Sequence, residues 1–193
     1  MGIDMKKRTL IAIITTLVVF LCAYYGLGTF LLIKSNIQDL VRYSYDRDSG
    51  GFPLYPKGLA EFYIFKFRGN EKDLASLNAG KGLGYILAIS KDNEVEKTIK
   101  YLRFFLNKGI DINSIDGDGF SVLHKAILYN KPKAIAFLLS KGANPDVKID
   151  MSAFYGRVGV EQIDKLNALE YAIYLTKERN QDRSTIIAML SKP

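Results

Sequence analysis

The chain has 193 residues, of which 48% are hydrophobic and 24% charged. This length accommodates one soluble domain with its own core and a small additional segment, and the composition excludes a wholly disordered protein. The net charge of +7 comes from 27 basic and 20 acidic residues that are scattered among one another. Because the basic residues do not cluster, the sequence favours a solvated lysine-rich surface and no nucleic-acid partner.

The first predicted element is a membrane anchor. Residues 9–33 carry no charge, and these 25 residues exceed the ~20 that a helix needs to cross a bilayer. A cleaved signal peptide is the alternative, but its apolar region is usually about 7–15 residues long and ends in a small-x-small site. A lipoprotein site would need a smaller residue than Leu21 before Cys22. We therefore predict an uncleaved anchor at residues 9–33.

The charges beside this segment predict its orientation. Lys6, Lys7 and Arg8 lie in a basic flank at residues 1–8, and a basic flank tends to remain cytoplasmic. The sequence therefore predicts a single-pass inner-membrane protein whose C-terminal domain faces the periplasm of a Gram-negative bacterium. Gly26 and Gly28 are small enough for a second helix to approach the anchor closely.

A linker is predicted at residues 34–57. Its second half, residues 49–56, combines turn-forming glycines and prolines with aromatic residues, which ends any helix. The spacing of Ile37, Leu40 and Val41 is compatible with a short helix before that turn. The aromatic-rich residues 59–67 fit either a strand or a helix that caps the open end of a repeat stack.

Residues 116–146 have the spacing of two short antiparallel helices. Pro132 suits the first turn of the second helix, and Gly142 suits the left-handed position after its end. Two apolar stripes run through the segment, formed by Val122, Leu123, Ala126 and Ile127 and then by Ile135, Leu138 and Leu139. Each stripe needs a neighbouring helix to cover it.

This segment resembles an ankyrin repeat. Val122 in place of proline and Asn130 in place of glycine are departures from the family pattern. The family's D-x-x-G, T-P-L-H, A-A, L-L and G-A motifs are matched by Asp116 with Gly119, Ser121-Val122-Leu123-His124, Ala126-Ile127, Leu138-Leu139 and Gly142-Ala143. The resemblance implies an all-α fold, with a short ankyrin-repeat solenoid at residues 58–193.

The neighbouring repeats are degenerate, and three or four are expected in all. Gly109 and Gly142 are 33 positions apart, which is the period of the family. The repeat before the central one fits if about five extra residues near 92–97 lengthen the connection between its helices. The last repeat, signalled by residues 168–173, requires an insertion of about 13 residues within 147–165. A first outer helix is expected at residues 70–79, with Gly80, Gly82 and Gly84 in a loop after it.

The sequence offers little catalytic chemistry. His124 is the only histidine and Cys22 lies in the apolar segment, so we expect no enzyme, no cofactor and no metal site. The family resemblance implies that His124 ties neighbouring repeat turns together by hydrogen bonds. The pattern formed by Asp111, Asp116 and Asp118 lacks the glycine and the glutamate that a calcium-binding loop requires. These residues fit hairpin turns instead.

The resemblance implies a protein-binding surface on the hairpin tips and the inner helices. The matching positions are Asp118, Phe120, Leu128, Tyr129 and Tyr174. The alternative for Phe120 and Tyr129 is packing against the insertion or a neighbouring repeat. A second candidate patch in the insertion consists of Phe154, Tyr155 and Arg157.

The predicted function is binding of another protein by a membrane-anchored module. Small anchored bacterial proteins with a short ankyrin array resemble immunity proteins that neutralise secreted toxic effectors. The alternative is a scaffold or assembly factor of a cell-envelope complex, in which the transmembrane helix makes the specific contact. An enzyme would depend on His124 or on a pair of carboxylates.

Overall fold

The computed structural model describes residues 2–45 and 58–191, with side chains from residue 6 onward. Within these residues the secondary structure is helical and includes no strand, which confirms the all-α prediction. The predicted turn at residues 49–56 lies outside the described residues. The α-helices are α1 (Gly2–Lys34), α2 (Ile37–Ser44), α3 (Leu59–Phe67), α4 (Glu71–Ala79), α5 (Gly84–Ile89), α6 (Val95–Asn107), α7 (Val122–Leu128), α8 (Pro132–Ser140), α9 (Ala168–Arg179) and α10 (Ser184–Leu190).

The chain divides into two compact units, Met1–Arg68 and Gly69–Pro193. The first unit contains α1, in which Lys6–Lys34 is long and apolar enough to cross a membrane. Asn36 begins α2, because its side chain accepts a hydrogen bond from the Asp39 amide. Thus the described part of residues 34–57, predicted as linker, includes a short helix at the position that the apolar spacing allowed.

Residues 59–67 form the helix α3, which decides between the two alternatives for this segment. α3 packs on α2 in the first unit and buries Ala60 and Ile64, which are four residues apart and therefore lie on one face. The sequence places these residues at the start of the repeat domain, and in the structure they belong to the compact unit Met1–Arg68.

The second unit is a stack of helix pairs. The pairs are α5 with α6, α7 with α8 and α9 with α10, and α4 precedes them. Contacts between pairs run from α5 to α7 to α9 in one layer and from α6 to α8 to α10 in the other. The core lies between the two layers and includes Leu87, Leu123, Ile135 and Leu138, each with at most 1% of its surface exposed.

The helices of the central pair begin and end at the expected residues. Ser121 is the N-cap of α7, and Pro132 opens α8. Gly142 has φ +88°, as a left-handed position after a helix requires. Asn130 replaces the family's glycine and adopts φ +53°, a conformation that asparagine tolerates better than most residues. This departure from the family pattern therefore preserves the turn.

Two features differ from the expectation. The extra residues near 92–97 form a 3-10 helix, Asp92–Glu94, and the first turn of α6, so they lengthen the outer helix as well as the connection.

Gly84 does not lie in the loop that the sequence analysis predicts. It is the first residue of α5, and a Cβ there would overlap the aliphatic part of the Lys125 side chain. Glycine is needed at this position because another repeat approaches so closely.

Candidate protein-binding surface

The central hairpin is held by Asp116. Its Oδ1 accepts hydrogen bonds from the amides of Asp118, at 2.9 Å, and Phe120, at 3.1 Å. Burial raises the pKa of Asp116, although the charge of Lys125 and the two amides act in the opposite direction. Lys125 Nζ lies 2.6 Å from Asp118 Oδ2 and 4.7 Å from the centre of the Phe120 ring. Asp118 and Phe120 therefore already have intramolecular partners.

His124 is fully buried beneath this hairpin. Its Nδ1 lies 2.8 Å from the Ser121 hydroxyl oxygen, and its ring centre lies 5.8 Å from that of Tyr171 in the next repeat. Burial lowers the pKa of His124 to about 4, and the nearby backbone of Leu166 and Asn167 acts against this shift. The Nε2 atom has no hydrogen-bond partner among the described residues, so the expected hydrogen bonds to the neighbouring repeat are not formed. The imidazole is therefore neutral at physiological pH and serves the packing between repeats.

The remaining predicted residues of the inner helices are half-buried. The Phe120 ring centre lies 5.7 Å from that of Tyr171, so this aromatic residue packs on the neighbouring repeat. Leu128 ends α7, and Tyr129 is its C-cap. Tyr174 lies further along the array, where its hydroxyl donates to Gln162 Oε1 at 3.0 Å and its ring stacks with that of Tyr171.

The insertion at residues 147–165 is a large loop with a fixed base. The Ile149 amide donates to the Leu166 carbonyl at 3.0 Å, and the Lys165 amide donates to the Ile149 carbonyl at 3.0 Å. The Asp150 amide donates to the Gly119 carbonyl at 2.9 Å, which joins the insertion to the central hairpin. Ile149 and Met151 are buried at this base.

The tip of the insertion is exposed but internally braced. The Tyr155 hydroxyl donates to Asp164 Oδ2 at 2.6 Å, and the Met151 amide donates to Asp164 Oδ1 at 2.9 Å. These hydrogen bonds lower the pKa of Asp164. The Arg157 guanidinium lies 5.0 Å from the centre of the Phe154 ring. The three predicted residues of this patch therefore lie together, with the Tyr155 side chain open to solvent.

Val158 is a residue that the sequence analysis missed. It lies at the tip between Gly156 and Gly159, which have φ +90° and φ +82°, and its side chain is fully exposed. A cleft of about 240 Å³ separates this tip from α9. It is lined by residues that include Val158, Val160, Ile163, Tyr174 and Arg179. An apolar residue between two glycines in an insertion was the signal available in the sequence.

Similarity to known proteins agrees with this architecture. Residues 88–139 match the family model described as ankyrin repeats (many copies). The matched part of the helical array has the ankyrin-repeat fold. A chloroplastic ankyrin repeat domain-containing protein of Arabidopsis thaliana is 43% identical over 47 residues, or 24% of this chain. An ankyrin and IPT/TIG repeat-containing protein of Schizosaccharomyces pombe is 35% identical over 85 residues, or 44% of this chain.

These similarities are limited to the repeats. The alignments span 15% of the Arabidopsis protein and 7% of the fission-yeast protein. No solved structure matches the chain. Ankyrin repeats typically form protein–protein interaction modules, and this role is consistent with the matched residues.

The opposite edge of the ankyrin-repeat domain contains a second cavity of about 380 Å³, at the turns between inner and outer helices. Arg183 lines it and is 1% exposed. Its Nη2 donates to Gln181 Oε1 at 3.0 Å, and its Nε donates to the Ile127 carbonyl at 3.4 Å. Arg183 therefore links α7 to the turn before α10.

Proposed function

We propose that the protein is a membrane-anchored protein-binding module whose partner docks on the tip of the insertion and the adjoining face of α9. The observation that supports this most strongly is that Val158 is fully exposed and Tyr155 is 58% exposed on a loop with a hydrogen-bonded base. Exposed apolar side chains on a scaffold that is already ordered make efficient anchors, because binding then costs little conformational entropy.

The chemistry around the cleft indicates the kind of partner. Its apolar lining, from Val160, Ile163 and Leu175, suits one inserted hydrophobic side chain. Arg179 lines the cleft, and Arg157 lies at the exposed tip. Glu178 lines the cleft beside Arg179, so the charges are mixed and favour a partner that surrounds its apolar anchor with charged residues of both signs.

Site-specific photo-crosslinking in the producing cells tests this surface. A photoreactive amino acid at Val158 or Tyr155 is expected to give one crosslinked species of defined mass. The same residue at Ala136, which is exposed on the outer helix α8, is expected to give none. Crosslinks from Ala136 with none from Val158 would place the partner on another face and contradict the proposal.

A negative charge introduced at the tip of the insertion tests partner binding without changing the stability of the fold. Val158→Asp is expected to weaken capture of the crosslinked partner at least about tenfold, since a carboxylate would be desolvated in an apolar contact. The same change at Ala136 is the matched control. Both variants should unfold at the temperature of the unchanged protein, because neither side chain is buried.

The orientation of the membrane anchor determines the compartment in which the module would bind its partner. α1 would hold the module at a membrane, and the basic flank formed by Lys6, Lys7 and Arg8 favours an outward-facing C-terminal domain, periplasmic in a Gram-negative cell. A topology reporter fused after residue 193 tests this orientation. Reporter activity on the cytoplasmic side would exclude a periplasmic partner while leaving the binding surface itself unaffected.

The finer proposal is an immunity function, in which the module neutralises a secreted toxic effector. A single anchor with a short binding array suits a protein that intercepts its target at the membrane surface. Cells without the protein are then expected to lose protection against the crosslinked partner, and Val158→Asp should fail to restore it. Full protection in the deletion strain would exclude this function.

A scaffold or assembly factor is the second candidate. Gly26 on α1 is open on its outer side, where a second helix can approach. Replacing residues 9–33 with an unrelated membrane helix distinguishes the two functions. A binder should keep its function after this exchange, whereas an assembly factor that uses Gly26 should lose it.

A further inference from the structure

The outer face of α3 exposes large aromatic side chains to solvent. One side of this helix packs on α2 and buries Ala60 and Ile64. Phe62 and Phe67 are nevertheless each 59% exposed. A surface helix of a soluble domain normally exposes polar residues on its solvent side, and a helix that is apolar on all sides is normally covered by protein or lipid.

The exposed aromatic residues form one connected patch. The ring centres of Phe62 and Phe67 are 6.3 Å apart in an edge-to-face arrangement, and those of Tyr63 and Phe67 are 5.3 Å apart. Lys66 is exposed on the same turn. An aromatic patch with a lysine combines apolar surface with a flexible cation that can extend towards phosphate groups.

A hydrogen bond fixes this patch beside the end of α1. The Arg68 Nη1 donates to the Ser35 carbonyl at 2.9 Å. Arg68 is the C-cap of α3, and Ser35 directly follows the last residue of α1. The C-terminal end of α3 therefore lies where the charge-free segment of α1 ends.

The dimensions of a bilayer match this position. Phe62 precedes Phe67 by five residues, or about 7.5 Å along a helix axis. The headgroup region extends roughly 5–8 Å beyond the hydrocarbon core on each side. Even if α3 ran straight away from the membrane, both rings would lie within or at the edge of the interfacial layer.

We propose that the outer face of α3, formed by Phe62, Tyr63, Lys66 and Phe67, inserts into the membrane–water interface and binds phospholipid at the boundary of headgroups and acyl chains. Aromatic rings are enriched at this depth because one layer accommodates both their apolar and their polar character. The inference rests on the proposed membrane anchor. It adds a second contact between the first compact unit and the membrane.

Tryptophan fluorescence tests the insertion directly, because the chain has no tryptophan of its own. The full chain is reconstituted in phosphatidylcholine–phosphatidylglycerol vesicles with one tryptophan, introduced as Phe67→Trp or Phe62→Trp. Bromine atoms on the upper part of the acyl chains quench a tryptophan at the interface. We expect such vesicles to remove most of the emission of both variants, relative to unbrominated vesicles, and acrylamide in the water to quench them little.

Leu17→Trp, in the middle of α1, is the control for the anchor itself. Its emission should be quenched by bromine atoms deep in the acyl chains. Quenching of Leu17→Trp without quenching of Phe67→Trp or Phe62→Trp would overturn the inference and leave the anchor intact. No lipid quenching of Leu17→Trp would overturn the anchor and, with it, the inference.

Discussion

The central repeat and the insertion use similar residues in opposite ways. All residues of α7 from Val122 to Ile127 are buried, including His124 and Lys125. All residues of the insertion from 155 to 159 are exposed, including Val158 and an arginine. Both segments contain aromatic and cationic side chains, but only the insertion leaves them accessible to a partner.

The difference shows what the repeat motif encodes. His124 bonds Ser121, Lys125 pairs with Asp118, and Asp116 closes the hairpin, so the recognisable residues stabilise the stack. The segment that departs from the repeat is not constrained by stacking. Its exposed residues are therefore the better candidates for function.

The largest loss of stability is expected from a substitution at the junction of the central repeat and the insertion. Gly119 has φ +87°, and a Cβ there would overlap the Asp150 carbonyl oxygen of the insertion. Gly119→Ala is expected to lower the free energy of unfolding by about 3–5 kcal/mol, from left-handed strain and the displacement of residues 149–151. Urea unfolding of the full chain in detergent, followed by tyrosine fluorescence, measures this loss.

Gly142→Ala is the matched control. Gly142 has φ +88°, but its missing Cβ would meet no atom within 4 Å. This substitution should therefore show the left-handed strain alone, about 1 kcal/mol. Equal losses for the two variants would mean that residues 149–151 move away from the added Cβ at no cost, and the base of the insertion would then not be fixed.

A smaller effect is expected from His124 as the pH falls. Its pKa is about 4 in the folded protein, against 6.5 for an unperturbed histidine, so the unfolded chain binds the proton more readily. This contribution to stability is complete above pH 6.5 and is lost as the pH falls from 6.5 towards 4. The full loss is about 3 kcal/mol, since one pKa unit corresponds to about 1.4 kcal/mol.

Unfolding in urea at a series of pH values between about 7.5 and 5 measures this slope. His124→Gln, which does not titrate, should remove the slope between these values. Asp116, whose pKa is raised by burial, acts in the opposite direction in the acid range and remains in both proteins. An unchanged slope in His124→Gln would show that another group causes the acid sensitivity.

The sequence predicted the repeat stack because its signals are local. Ser121, Pro132 and Gly142 set the ends of helices by their own backbone preferences, and the apolar spacing places the buried stripes. Gly84 was misplaced because the requirement for glycine comes from Lys125, which is 41 residues away. No local pattern carries that information.

The candidate site was only partly predictable, for the same reason. Tyr155 and Arg157 were selected by composition, but the cleft depends on how the insertion folds back towards Tyr174. The burial of Arg183 likewise depends on the carbonyl of Ile127, which belongs to another repeat. Contacts between distant segments decide which polar residues remain accessible.

The smallest effect should be confined to the insertion. Tyr155→Phe removes the hydrogen bond from the Tyr155 hydroxyl to Asp164, which is the main cause of the lowered pKa of that carboxyl group. The pKa of Asp164 should therefore rise, and the Met151 amide, which donates to the same carboxylate, should exchange its hydrogen faster. The unfolding temperature should not change, because the bond lies at the surface.

Tyr174→Phe is the control. It loses a hydroxyl that bonds Gln162 instead, and it should leave the hydrogen exchange of the Met151 amide and the pKa of Asp164 unchanged. If Tyr155→Phe also left both unchanged, the tip would be ordered by its backbone alone, and the exposed position of Val158 would not depend on the Tyr155–Asp164 brace.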